Sequence, residues 1–275
     1  MYKKPAPLSR DRHSAKRLIR PANLAFAVNQ PVVPIYPAEL RQAAAEFPIV
    51  FLPENDSFTI AGLLSLDGQK NLLLGPDGRW LGNYVPAGLR RYPFILGRAD
   101  QTDAGTPEVV LCVDENEQIL ADSGGEPFFD ESGEPTAFIK EVIKFLTELE
   151  RNRPLVAPAI EALRTRNLFQ PLELTVERDG KKVPLGGIFR INEQAFKALG
   201  DEDVLALHRV NALELVHYHL LSLTRISTLQ KLAALHAQFA QQQAQLLAQQ
   251  QQAQALNLEE MFEGGEVAGD MVFKF

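Results

Sequence analysis

Through the first 120 residues the apolar positions fall in short runs broken by proline and glycine. Over 137–167 and again from 193 they recur at helical spacing. "PIVFL" (48–52) predicts a buried strand. "SFTIAGLLSL" (57–66) and "KNLLLG" (70–75) predict two more, joined by a turn at Asp67-Gly68. "PAELRQAAAEF" (37–47) predicts a helix with Pro37 in its first turn and Pro48 after its end. "VPAGLRR" (85–91) predicts a short helix, on which Val85, Leu89 and Tyr92 share an inward face. "FILGRA" and "EVVLCVDE" (108–115) predict strands. In "AFIKEVIKFLTELERN" (137–152), Phe138, Val142, Phe145 and Leu149 line one helical face. A further helix is expected over 155–167. A hairpin is expected over 172–192 with its turn at Asp179-Gly180. Asn192 can cap "EQAFKAL", and Asp201 can cap a long helix from 202 to beyond 235.

These elements sum to an α+β fold: a mostly antiparallel sheet with packed helices, a long C-terminal helix and a Gln-rich tail. No βαβ run with a Gly-rich first turn points to a dinucleotide fold. The expected organisation is a basic, proline-containing arm (1–35), an α+β domain (36–235) and a tail (236–275). The tail is helical or disordered and ends in a short apolar stretch.

Composition sharpens this picture. The chain has 275 residues, 45% hydrophobic and 23% charged, with a net charge of −7. That acidic balance disfavours nucleic acid and anionic membranes as partners. The first twenty residues run the other way, with Lys3, Lys4, Arg10, Arg12, Lys16, Arg17 and Arg20. This segment is expected to dock on the protein's own acidic surface. Cys112 is the single cysteine, so no intrachain disulfide can form. No run approaches the roughly 18–20 apolar residues of a membrane span. No apolar core follows the basic N-terminus as in a secretory signal. The expectation is a cytoplasmic chain.

Candidate chemistry is sparse. No nucleophile elbow, P-loop, zincin helix or paired-cysteine motif occurs, which lowers the expectation of an enzyme. Cys112 reads as a buried strand residue. His217 and His219 lie two apart on a helix, about 200° around its axis, so they cannot share a metal ion. Neither a metal nor another cofactor is expected. "DGRWLGNYVPAGLRRYPFIL" (77–96) reads as a structural module or as an anion site. In the second case Trp80, Tyr84, Arg90 and Arg91 are the ligand or partner contacts. The loop "GEPFFDESGEP" (125–135) reads as anchored by Phe128 and Phe129. Alternatively Glu126 and Asp130 are ligand or partner contacts, or Glu126, Asp130, Glu131 and Glu134 offer oxygens to a divalent cation, at a spacing that does not match an EF-hand. In the tail, a heptad reading puts Leu232, Phe239, Leu246 and Ala253 at one seam position. Leu235, Gln242, Gln249 and Leu256 take the other, and its two glutamines weaken any coiled coil. Met271, Phe273 and Phe275 alternate, as in a strand that could add to a sheet edge on this chain or a partner.

The wording and order of several stretches resemble the SapC family. These are "MYKKPAPLSRDRH", "EFPIVF", the 77–96 stretch, "GEPFFDESGEPTAF", "PLGGIFRIN" and "LHRVNALELVHYHLLSL", spanning roughly residues 1–235. The tail departs from that pattern. The family is named after an S-layer gene cluster, and similar proteins are encoded beside TonB-dependent receptors and flavin-dependent halogenase-like genes. The resemblance implies an interaction or assembly protein tied to cell-envelope or nutrient-uptake systems. It supplies no catalytic residue or cofactor. Two alternatives stay open. One is a binding or sensor module for an anionic or aromatic metabolite or a sugar acid. The other is an enzyme of unrecognised type. The expected partner is an unidentified protein, or a second copy engaged through the tail.

Overall fold

The computed structural model describes residues 1–98, 109–116, 118–178 and 181–263. In chain order the elements are β1 (Pro5–Pro7), α1 (Arg10–His13), β2 (Arg17–Leu18), β3 (Val32–Pro34), α2 (Leu40–Glu46), β4 (Ile49–Glu54), β5 (Ser57–Leu63), α3 (Ala87–Arg90), β6 (Phe94–Arg98), β7 (Val109–Asp114), β8 (Leu120–Ala121), β9 (Glu126–Pro127), α4 (Ala137–Asn152), α5 (Ala157–Thr165), β10 (Phe169–Pro171), β11 (Leu174–Arg178), β12 (Lys181–Leu185), β13 (Phe189–Ile191), α6 (Glu193–Lys197), α7 (Asp201–Arg209), α8 (Ala212–Ser222) and α9 (Ile226–Glu263). The fold is α+β, with every strand pairing among the described residues antiparallel. Contacts divide the chain into two compact units, Met1–Gln230 and Lys231–Phe275. None of the described helices is long and apolar enough to cross a membrane.

The larger unit holds two main layers of strands. A five-stranded sheet runs β10-β13-β4-β5-β3. Helices α2, α5 and α8 pack together against it. The apolar runs of β4 and β5 explain its depth, because Ile49, Val50, Phe51, Ile60 and Leu63 are all buried. Gly62 sits in β5 opposite Ile49. A Cβ there would lie 2.5 Å from the ring of Phe47, which is itself fully buried. Gly62→Ala is therefore expected to cost about 2 kcal/mol through overpacking, read as a lower urea midpoint at unchanged slope.

The second core joins β2, β6, β7 and α4 through Leu18, Phe94, Val113, Phe128, Ile139 and Leu146. Here the first 35 residues are part of the sheets. Strand β1 pairs with β7, β2 lies between β8 and β9, and β3 edges the five-stranded sheet. Four of the seven basic residues named above find acids: Arg10–Glu134 at 2.8 Å, Arg12–Glu115 at 2.6 Å, Lys16–Asp122 at 2.6 Å and Arg20–Glu126 at 2.8 Å. Such exposed pairs contribute only about 0–1 kcal/mol each. The buried Leu18 and the backbone ladders hold this segment more firmly.

Three expectations are corrected. Residues 70–75 form no strand. Buried Asn71 instead donates through its amide to Ala27 O and accepts from Leu73 N, which turns the segment into an anchored loop. The helix expected from 202 to beyond 235 is broken into α7, α8 and α9. Asn211 takes a left-handed φ of 57° and ends the first of them. Gly200, not Asp201, is the cap residue of α7. By contrast, α4 has the expected bounds, with Thr136 Oγ1 accepting from Ile139 N. Asn192 caps α6 by accepting from Ala195 N at 3.0 Å. The turn expected at Asp179-Gly180 lies outside the described residues, between β11 and β12.

Three buried polar side chains tie helices and the N-terminal strand to the sheets. His219 on α8 donates from Nδ1 to Ile49 O at 2.8 Å and accepts at Nε2 from Ile191 N at 3.1 Å. One turn later Ser222 Oγ accepts from Ile49 N at 2.8 Å. In the other core Asp114 gathers four donors: Lys3 N, Lys4 N, Tyr92 OH and Asn116 Nδ2.

Candidate functional site

The stretch 77–96 is built from local necessities. Gly78 has a φ of 77°, and Asp77 Oδ1 accepts from Arg79 N to close the turn. Trp80 then bridges back to Leu74. Its indole Nε1 is buried and has no acceptor. Gly82 must be small, because a Cβ there would lie 2.7 Å from Glu46 Oε2 and 2.9 Å from the indole nitrogen. Helix α3 is one turn long and begins at Ala87, so Val85 precedes it, and only Leu89 of the expected inward face is fully buried. The shortening follows from Pro86, which takes the extended cap position (ψ 148°).

The predicted site residues do not form one cluster. Tyr84 donates to Glu39 Oε2 at 2.7 Å, and the same oxygen accepts from Ala87 N at 2.8 Å. Burial, reinforced by that carboxylate, raises the Tyr84 phenol to about 12. This is a latch between the start of α2 and α3. Arg90 is exposed. It donates from Nε to Val85 O and from Nη2 to Tyr84 OH, and its guanidinium lies over the rings of Tyr84 and Phe145 at 5.6 and 5.5 Å. Arg91 donates from Nη1 to Tyr36 OH at 3.3 Å, while its Nε is buried without an acceptor. Glu126 is paired with Arg20. Asp130 accepts from Ser132 Oγ at 2.6 Å and from Glu134 N at 2.9 Å, and these bonds hold its carboxyl below the usual range. Phe128 pins that loop, being only 1% exposed. No group of three His, Cys, Asp or Glu able to hold a metal occurs among the described residues.

Arg90 and Arg91 do meet in a cleft of about 240 Å³. Arg20 stands at the same cleft, with the rings of Phe26, Phe138 and Phe145 along its sides. Arg20 lies 4.5 Å from the ring of Phe138, and Phe26 stacks on Tyr92 at 4.0 Å. Trp80, Tyr84, Glu126 and Asp130 do not line it; Glu126 reaches it only through Arg20. The fully buried residues of α4 are Ile139 and Leu146, beside the face read from the sequence. That face is half-buried throughout, and its Phe138, Val142 and Phe145 open on the cleft. Their spacing was visible in the sequence, but Arg20 and Phe26 carry no local signal of this placement. A second hollow of about 380 Å³ lies beside Arg12, His13 and Lys16, but its charges are already paired with Glu115 and Asp122.

Cys112 and His219 lack the settings of catalytic groups. Burial raises the Cys112 thiol, which works against a thiolate. Burial pushes His219 down to about 4, so both its nitrogens serve backbone groups as a neutral ring. His217, two residues earlier, is exposed on the opposite side of α8.

In the smaller unit, α9 exposes Leu235, Phe239, Leu246 and Leu247 at 48–58%. Gln242 and Gln249 are exposed as well. Met271, Phe273 and Phe275 lie outside the described residues.

A protein-family model described as SapC matches residues 8–229. No curated protein and no solved structure matches the chain.

Proposed function

We propose that this chain, which belongs to the SapC family, is a non-catalytic interaction protein whose helical tail holds a protein partner or a second copy of itself. The observation that carries this reading is the apolar stripe on α9. At 100° per residue, Leu235, Phe239 and Leu246 fall within about 40° of one another. Residues 232–258 contain no Asp, Glu, Lys or Arg, so two such helices meet without like-charge repulsion. Alanine, leucine and glutamine favour the helix itself. The glutamines at 242 and 249 limit the seam to a weak or short coiled coil. The resemblance supports a place for this activity at the cytoplasmic side of an envelope, S-layer-associated or nutrient-uptake assembly.

The test is the full chain carrying Leu235→Glu, Phe239→Glu and Leu246→Glu, measured by light scattering and by capture from the native cell. The variant is expected to lose the oligomeric mass, or the captured protein, that the unchanged chain shows. If both chains have the same mass and the same captured set, the reading fails.

A further inference from the structure

We propose that the cleft between α3, α4 and residues 20–26 is a binding site for a small organic carboxylate carried on an aromatic or branched apolar body. The proposal goes beyond the tail reading and is independent of it.

Charge gives the first half of the ligand. Arg20 has a carboxylate partner in Glu126. Among the described residues, Arg90 and Arg91 make no ion pair. Arg90 bonds the neutral groups Val85 O and Tyr84 OH, and Arg91 bonds Tyr36 OH and also reaches the Tyr2 hydroxyl. Two adjacent arginines therefore line one cleft without a direct ion pair, the Glu39 carboxylate lying beyond the Tyr84 hydroxyl that Arg90 bonds. Arg91 also keeps a buried Nε that no acceptor satisfies. A buried donor left in this way is costly, so the Arg91 side chain gains from a rearrangement that brings an acceptor to it. A guanidinium fork matches a carboxylate better than it matches a neutral group.

The walls give the second half. Phe26, Phe138 and Phe145 offer ring surface, and Arg20 and Arg90 lie over two of those rings. A bare inorganic anion would leave that surface wet. An apolar body with an acid arm covers it while the acid meets the arginines. Size limits the choice. A cleft of about 240 Å³ is at the small end of ligand pockets, which suits a single-ring acid.

The experiment titrates the full chain calorimetrically with phenylacetate, phenylacetamide and inorganic phosphate. Phenylacetate is expected to saturate one site, with the amide and phosphate each at least about tenfold weaker, as loss of the charge-assisted contacts or of the apolar body requires. Arg90→Gln, an exposed position, is expected to weaken phenylacetate about tenfold at unchanged melting temperature. The tail variant should bind phenylacetate as the unchanged chain does. Equal affinity for acid and amide overturns the proposal. So does phenylacetate binding that survives both Arg90→Gln and Arg91→Gln, or no saturation by about 10 mM, where the binding free energy falls below roughly 3 kcal/mol.

Discussion

Leucine in place of His219 is expected to lower stability by about 4 kcal/mol, because it strips partners from two buried backbone groups at once. Ile49 O loses its donor and Ile191 N its acceptor, and each orphaned group costs about 1–3 kcal/mol. The melting temperature should fall by about 10 °C, at roughly 2–4 °C per kcal/mol for a unit of this size. Scanning calorimetry of the two proteins at neutral pH measures the difference. The same ring makes stability depend on pH. Folded His219 titrates at about 4, against an ordinary value near 6.5. Between those values the unfolded chain binds the proton and the folded chain does not. The ring's contribution is therefore complete above pH 6.5 and declines as the pH falls towards 4, by about 3 kcal/mol in all. His219→Leu lacks that titration, so the gap between the two proteins must narrow with acid. A gap that stays constant from pH 7 to pH 4.5 would show that the ring is not held neutral.

Alanine in place of Asp114 is expected to cost about 3 kcal/mol and to loosen the N-terminal strand in particular. The carboxylate collects four hydrogen bonds, two of them from the backbone of Lys3 and Lys4 just ahead of β1. Bonds to a charged acceptor contribute about 1.5–3 kcal/mol each, and water recovers part of that at the outer pair. Hydrogen exchange should quicken at Ala6 and at the Leu8 amide that bonds Leu111 O. A second reading comes from Tyr92. Burial first, and then its bond to Asp114, raise its phenol to about 12. Without the carboxylate it should ionise at lower pH, as followed by ultraviolet absorbance. Unchanged exchange across β1 would sink the idea that Asp114 fastens it.

The elements that could be read from the sequence were those with a period long enough to repeat. Helix α4 keeps its apolar spacing for sixteen residues, and its bounds follow from Thr136 and the face itself. Strands β4 and β5 were legible as apolar runs. Strands of two or three residues, such as β1 and β2, cannot show a period at all, so the pairing of the first 35 residues had no local signature. "KNLLLG" misled for the opposite reason. Its leucines are buried, but as an anchored loop rather than a ladder. Within "HYH", helical geometry separates His217 from His219. It could not reveal that His219 bridges two strands, because its partners stand 170 and 28 residues away. The candidate site was half visible. Arg90 and Arg91 were singled out together with Trp80 and Tyr84, but the arginines face a cleft while Tyr84 latches onto Glu39.

The threading of β2 between β8 and β9 has a consequence for synthesis. Arg17 and Leu18 emerge from the ribosome well before their two neighbours, which end at Ala121 and Pro127. At about 5–20 residues per second, the strand waits some 5–20 seconds before its slot exists. Leu18, buried in the finished protein, is exposed to water or to a chaperone throughout that interval. The β4–β5 hairpin, closed across Asn55, needs no such wait and is available as the earlier nucleus. The β4–β5 pairing can therefore form before β2 is enclosed between its later-made neighbours.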